Sequence, residues 1–188
     1  MAKPCAITCP GSRSVAIPEL RFRGQAFRAH DPRWAWDPES GEGARQHGGR
    51  FNPVGVAALY LSLNFESAWA EAQQAFPLKP QPLTLCAYEV DCERIVDLRD
   101  PSVRDAANVT NSDLGCAWEE LLDRSITPPS HRLAERLVAD GVAGILVPSY
   151  APGAPEEASN LVAWRWGSSL PHRIQCIDDE GRLSRLHQ

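Results

Sequence analysis

Residues 41–53 read GEGARQHGGRFNP, with four glycines in the first nine positions. Glycines let a backbone come close to a ligand or adopt positive φ. Arg45 and Arg50 bracket His47, placing cationic donors on a loop suited to a pyrophosphate. A short apolar run carrying Tyr60 follows, and after it a helical pattern carrying Glu71. Arginines to hold a diphosphate, an aromatic ring to pack on a base and a carboxylate beside a sugar suit scission of a nicotinamide–ribose bond. That bond breaks through a cation-like ribose, as a glycosidic bond does. The carboxylate would stabilise the charge or activate the incoming nucleophile. Such chemistry calls for no metal.

The same residues have blander readings. Tyr60 fits the core side of a strand and Glu71 the solvated flank of a helix. The glycine loop matches neither Rossmann nor Walker spacing. His47 is either an exposed loop histidine or a contact to substrate phosphate. Trp34 and Trp36 either line an adenine site or cover the core. Spacing permits the chemistry without establishing it.

The elements around these residues follow from local pattern. Residues 25–30 read as a short strand with Phe27 inward, and residues 31–49 as one long Pro/Gly-rich loop, a length often tied to function. Residues 57–62 form a buried strand. Asn64 caps a helix with Phe65, Ala68, Trp69, Ala72 and Phe76 as its apolar arc, ended by Pro77. On that wheel Glu71 borders the arc beside Ala68. Two strands follow, at residues 82–90 and 94–98, then a short helix capped by Asp100. Residues 108–115 read as a polar loop and 116–123 as a helical turn with Trp118. Ser130 caps a helix over 131–140 that Gly141 stops. Strands at 144–147, 160–166 and 173–177 complete an α+β fold with a mixed sheet and flanking helices.

Composition bounds the function. A chain of 188 residues fits one domain able to bury its own core. We expect a loose arm over residues 1–20, a single domain over 21–178 and a polar tail over 179–188. The net charge of −5, with Lys3 and Lys79 the only lysines, argues against a nucleic-acid-gripping surface. Arginine carries nearly all the positive charge, which suits a few bidentate anion contacts. No run approaches the roughly 20 apolar residues of a membrane span, and residues 1–10 lack the apolar core of a signal peptide. Cys5, Cys9, Cys86, Cys92, Cys116 and Cys176 show no zinc spacing, so they read as free thiols of a cytoplasmic protein.

Residues 41–53, followed by Ala58-Leu-Tyr-Leu-Ser62 and Glu71, resemble the signature region of the RES-domain family, toxins of bacterial RES/Xre toxin–antitoxin pairs. Phe27-Arg28 resembles the family's opening aromatic–arginine pair, and Val96-Asp-Leu98 and Gly144-Ile-Leu-Val-Pro-Ser149 resemble later strands. The likeness covers roughly residues 27–166. Phe51 stands where the family usually has tryptophan. The resemblance implies a fold similar to ADP-ribosyltransferase toxins and action on NAD⁺ as substrate, by hydrolysis, phosphorolysis or transfer of ADP-ribose to a protein target. It implies Arg28 and Arg50 at the diphosphate, Tyr60 at the nicotinamide or its ribose and Glu71 at the ribosyl cation. The family serine is Ser149 or Ser130, with Ser149 favoured. It also implies an Xre-like helix-turn-helix antitoxin as partner, with no direct contact to nucleic acid or membrane. A non-catalytic binding module is the alternative, and a ribonuclease is disfavoured by the acidic balance.

Overall fold

The computed structural model describes residues 16–73, 81–151, 154–155 and 157–183. Two long strands supply its spine. Strand β1 (Leu20–His30) and strand β3 (Thr84–Asp97) pair antiparallel from Leu20↔Ile95 to His30↔Thr84. The expected strands at 82–90 and 94–98 are thus one element. The turn expected between them, at residues 91–93, is strand, and Arg94, at φ 61°, takes the left-handed conformation without ending it.

Strands β2 (Leu59–Ser62), β4 (Gly144–Pro148), β5 (Ser159–Ala163) and β6 (His172–Cys176) complete the sheet. Its order is β1-β2-β5-β4-β3-β6, and the additional β1–β3 pairing closes five strands into a ring. The β3–β4 pair is parallel and the remaining pairs are antiparallel. Strands β1 and β2 meet at one residue pair, Phe27↔Ser62. With so little ladder between them the two strands separate, and a cleft opens there.

Period-two alternation builds a core on each face of the sheet. Val96, Ile145, Val147 and Val162 pack against Leu114, Leu133 and Leu137 from the helices. Their neighbours Ile95, Leu146 and Leu161 pack on the other face with Leu59, Leu61, Tyr88 and Ile174. The helices are α1 (Glu42–His47), α2 (Phe65–Gln73), α3 (Pro101–Ala106), α4 (Asn111–Leu114), α5 (Trp118–Asp123) and α6 (Pro129–Ala139). The expected α+β class is the observed one.

Local signals set several boundaries. Asn64 Oδ1 accepts from the Ser67 N–H at 2.7 Å and starts α2. Asp100 caps α3 through Ser102. Gly141, at φ 82°, follows α6. Other expectations fail for identifiable reasons. The segment read as a loop over 31–49 contains a short 3-10 turn, Pro32–Trp34, and helix α1, whose Arg45 pairs with Glu42 one turn earlier. Residues 108–115 hold α4, nucleated by a reciprocal capping box between Thr110 and Asp113. Ser130 is not a cap: α6 begins after Pro128, and Ser130 is buried inside its first turn. On β1 the fully buried side chain is Ala26, and half-buried Phe27 instead packs edge-on against Phe65 at 6.5 Å.

Helix α2 departs furthest from expectation. Its buried residues are Ser67 and Ala68, whereas Phe65 is 52% and Trp69 44% exposed. Of the expected apolar arc Ala68 is buried, while the two aromatic rings face outward. Phe76 and Pro77 lie outside the described residues, as do residues 1–15 of the expected arm and 184–188 of the expected tail.

Candidate active site

The double glycine places Tyr60. Gly48 sits at φ 73°, where a side chain would be strained, and turns the chain out of α1. Gly49 is needed for close approach: a Cβ there would lie 2.6 Å from the Tyr60 hydroxyl and 2.7 Å from Asn52 Oδ1. The Tyr60 hydroxyl donates to Asn52 Oδ1 at 2.7 Å and accepts from the Phe51 N–H at 3.0 Å. Burial pushes its phenol above the ordinary range, against the pull of that N–H and of Arg50, so Tyr60 stays a neutral donor. Asn52, wholly buried, donates from Nδ2 to the carbonyls of Ala44 at 2.8 Å and Val56 at 2.9 Å. A buried amide so fully paired fixes the loop.

His131 of α6 holds the same loop from beneath. It is buried, and its Nε2 donates to the Gly49 carbonyl at 2.8 Å. We expect His131→Leu to destabilise the fold by about 1–3 kcal/mol, because it leaves that carbonyl without its partner. Urea unfolding would check this, and an unchanged midpoint would show that the bond does not brace the loop.

Glu71 projects from α2 into the gap beside β2. Its Oε1 accepts from the Ser149 hydroxyl at 2.6 Å and from Asn160 Nδ2 at 2.8 Å. The Ser62 hydroxyl in turn donates to Asn160 Oδ1 at 2.9 Å. The carboxylate is thereby oriented by two side chains, one of them held by a third. Two cavities meet at this point, and Tyr60, Glu71 and Asn160 line both. One, of about 220 Å³, lies between the separated strands and is also lined by Phe27, Arg28 and Ser62. The other, of about 300 Å³, is lined further by Arg50, Trp118, Glu119 and Tyr150.

Each lobe carries one arginine. Arg50 donates from Nη1 to the Cys116 carbonyl at 2.5 Å, and its guanidinium lies 5.0 Å from the centre of the Tyr150 ring. Burial raises the Tyr150 phenol to about 12 despite Arg50 and Arg104. Arg28 donates from Nη1 to the carbonyls of Pro38 at 3.1 Å and Ser40 at 2.9 Å, so it also braces the turn after the 3-10 segment. Tyr88 donates to the same Pro38 carbonyl at 2.6 Å.

The structure thus brings Arg28, Arg50, Tyr60, Glu71 and Ser149 together around one cleft. It leaves two candidates elsewhere. His47 is exposed at the last turn of α1 and lines neither lobe. The Ser130 hydroxyl lies 3.5 Å from Cys116 Sγ, one layer below the cleft. Trp34 and Trp36 are 60% and 42% exposed and do not cover the core. Sequence reasoning missed Asn160, Ser62, Trp118 and Tyr150 as cleft residues. Only Asn160 left a signal: asparagine is unfavourable in a strand, and here it interrupts the apolar run Leu-Val-Ala-Trp at its start.

Comparison with known proteins bears on the family and the fold. No curated protein matches the sequence. Among solved structures, the fold is similar to a chain of the M. tuberculosis MbcT–MbcA toxin–antitoxin complex. That likeness has a TM-score of 0.61 at 20% identity and covers 85% of this chain and 84% of the other. The RES domain family model matches residues 25–185, which takes in every strand and helix described above except the start of β1. The chain belongs to the RES-domain family.

Proposed function

We propose that this chain is the toxin of a toxin–antitoxin pair and acts by cleaving the nicotinamide–ribose bond of NAD⁺. The observation that carries the reading is the Glu71 carboxylate. Ser149 and Asn160 hold it at the junction of two lobes, each with an arginine on its wall. A dinucleotide has that shape: two base–sugar halves joined by a diphosphate. Arg28 and Arg50 offer charge-assisted donors to the diphosphate from opposite sides. Tyr60 separates the lobes and packs on the nicotinamide riboside. Glu71 then faces the ribose carbon from which neutral nicotinamide departs, and its negative charge stabilises the cation that remains.

Water, phosphate or a protein side chain can capture that cation, giving hydrolysis, phosphorolysis or ADP-ribosylation. The MbcT–MbcA structure supports an antitoxin as partner. An Xre-like antitoxin that blocks the cleft would account for control of the activity, which we place in the cytoplasm.

The test is nicotinamide release from NAD⁺ by the purified chain, in buffer, in phosphate and in cell lysate. Loss in buffer or phosphate identifies a degrading enzyme. Loss in lysate alone, with ADP-ribose appearing on a protein, identifies a transferase. No release in any of the three would overturn the catalytic reading and leave a binding module.

Asn160 has a positioning role on this reading, since it touches Glu71 and not the bond that breaks. Asn160→Ala is expected to lower kcat about tenfold with KM little changed, as befits an interaction expressed mainly in the transition state. A rise in KM at constant kcat would instead assign Asn160 to ground-state binding.

A further inference from the structure

Behind the first lobe the sheet carries a second reactive cluster. Cys86 on β3 is directly opposite Arg28 of β1, and Cys176 at the end of β6 is opposite Tyr88, two residues along the same face of β3. Cys86 is buried, and its Sγ lies 3.5 Å from His30 Nε2. The register sets Cys176 on the same face of the sheet as Cys86, one diagonal step away on the neighbouring strand. Two thiols, a histidine and an arginine therefore share one patch of the sheet.

Cys92 is an internal comparison. It is buried on the same face of β3 and also neighbours a histidine, His172 Nδ1 at 3.6 Å. Its sulfur contacts His172 and the Glu93 carbonyl rather than a second thiol, and burial together with Asp91 and Glu93 raises its thiol to about 11. Cys86 moves the other way. The neighbouring Cys176, then His30 and Arg28, lower its thiol against the effect of burial. A thiolate is the reactive form of cysteine, and a cationic neighbourhood favours it.

We propose that Cys86 and Cys176 form a peroxide-responsive dithiol, with Cys86 as the attacking thiolate and Cys176 as the resolving thiol. The Cys86 thiolate attacks one oxygen of hydrogen peroxide; the O–O bond breaks and hydroxide leaves, giving the Cys86 sulfenic acid. The Cys176 sulfur then attacks the Cys86 sulfur; the S–O bond breaks, and water leaves with the Cys176 proton. Two thiols are oxidised to one disulfide and the peroxide is reduced to water. Half-buried Cys176 gives an oxidant of water size its approach to the pair.

The link to the cleft is mechanical. A diagonal pair on neighbouring strands starts about 7–8 Å apart, wider than the usual Cα span of a disulfide. Oxidation must therefore draw the end of β6 toward β3. The Cys176 N–H donates to Glu39 Oε1 at 2.8 Å, and Trp166 Nε1 holds the Glu39 carbonyl at 2.9 Å. Glu39 stands between Pro38 and Ser40, whose carbonyls hold Arg28. The disulfide displaces this turn and with it Arg28.

Peptide mapping of the full chain after hydrogen peroxide and alkylation tests the proposal without reference to any enzymatic activity. The expected product is a Cys86–Cys176 cross-linked peptide that a dithiol reductant reverses. In Cys176→Ser, Cys86 should be trapped by dimedone as a sulfenic acid on the order of tenfold faster than Cys92. Cys86→Ala provides a second check should Cys176→Ser fold poorly, and there Cys176 should remain a thiol under the same exposure. Recovery of Cys86 as an unmodified thiol in the native chain, or its trapping no faster than Cys92, would overturn the proposal.

Discussion

Glu71→Gln is expected to lower NAD⁺ turnover by about 10²–10⁴-fold while leaving the fold intact. Glutamine has nearly the same shape, and its carbonyl oxygen can still accept from Ser149 and Asn160, which now contact Oε1. What it lacks is the full negative charge. A charge that stabilises a developing cation matters far more in the transition state than in the bound substrate. The loss should therefore appear in kcat, with KM little altered. Kinetics of nicotinamide release and a thermal melt of the variant would check both halves. Expression in a host without antitoxin should no longer arrest growth. A variant that keeps a tenth or more of the native kcat would move the catalytic burden away from Glu71 and towards the arginines.

The second large effect is expected at Gly49. An alanine there places its methyl carbon 2.6 Å from the Tyr60 hydroxyl and 2.7 Å from Asn52 Oδ1, closer than real contacts allow. Tyr60 is held by Asn52 and the Phe51 N–H, and Asn52 is wholly buried. Asn52 cannot retreat, and Tyr60 can shift into a lobe only by giving up its bonds to Asn52 and Phe51, so strain of about 1–3 kcal/mol is expected. In a chain of this size each kcal/mol shifts Tm by roughly 2–4 °C. Turnover should fall further than stability suggests, by up to about 10²-fold, because Tyr60 forms a wall of both lobes and small misplacements are costly. Gly43→Ala is the control. It lies within α1 with nothing within 4 Å of the added carbon, so it should be neutral or slightly stabilising. Equal behaviour of the two variants in melting and in turnover would show that close approach at Gly49 is not what the double glycine serves.

Phe65 and Trp69 stand one helical turn apart, and Phe65 packs on Phe27 beside the Arg28 lobe. The periodicity that makes them look like core residues in the sequence is real; only its partner is outside the core.

What the sequence by itself determined was local. Asn64, Asp100 and Gly141 mark helix ends because capping and positive φ depend on neighbouring backbone alone. The short apolar runs at residues 145–147 and 161–164, bounded by glycine, proline and asparagine, declare buried strands from their own composition. The motif residues Arg28, Arg50, Tyr60 and Glu71 were legible through family likeness, and Gly48–Gly49 through composition. Tertiary structure decided everything that depends on distant approach. Ser149 and Asn160 reach Glu71 across 78 and 89 residues of chain. No short-range pattern encodes which serine arrives: family likeness favours Ser149 over Ser130 only slightly, and the fold puts Ser149 at the carboxylate and Ser130 beside Cys116. His47 lies within the motif and is carried away from the cleft because its segment coils into α1. Arg28 acquired a bracing role because the strands that bear it and the turn it holds meet only in three dimensions. Hydrogen bonds and helix caps act over a few ångströms. The chain reveals in advance those whose partners lie within a turn or two, and folding alone selects the rest.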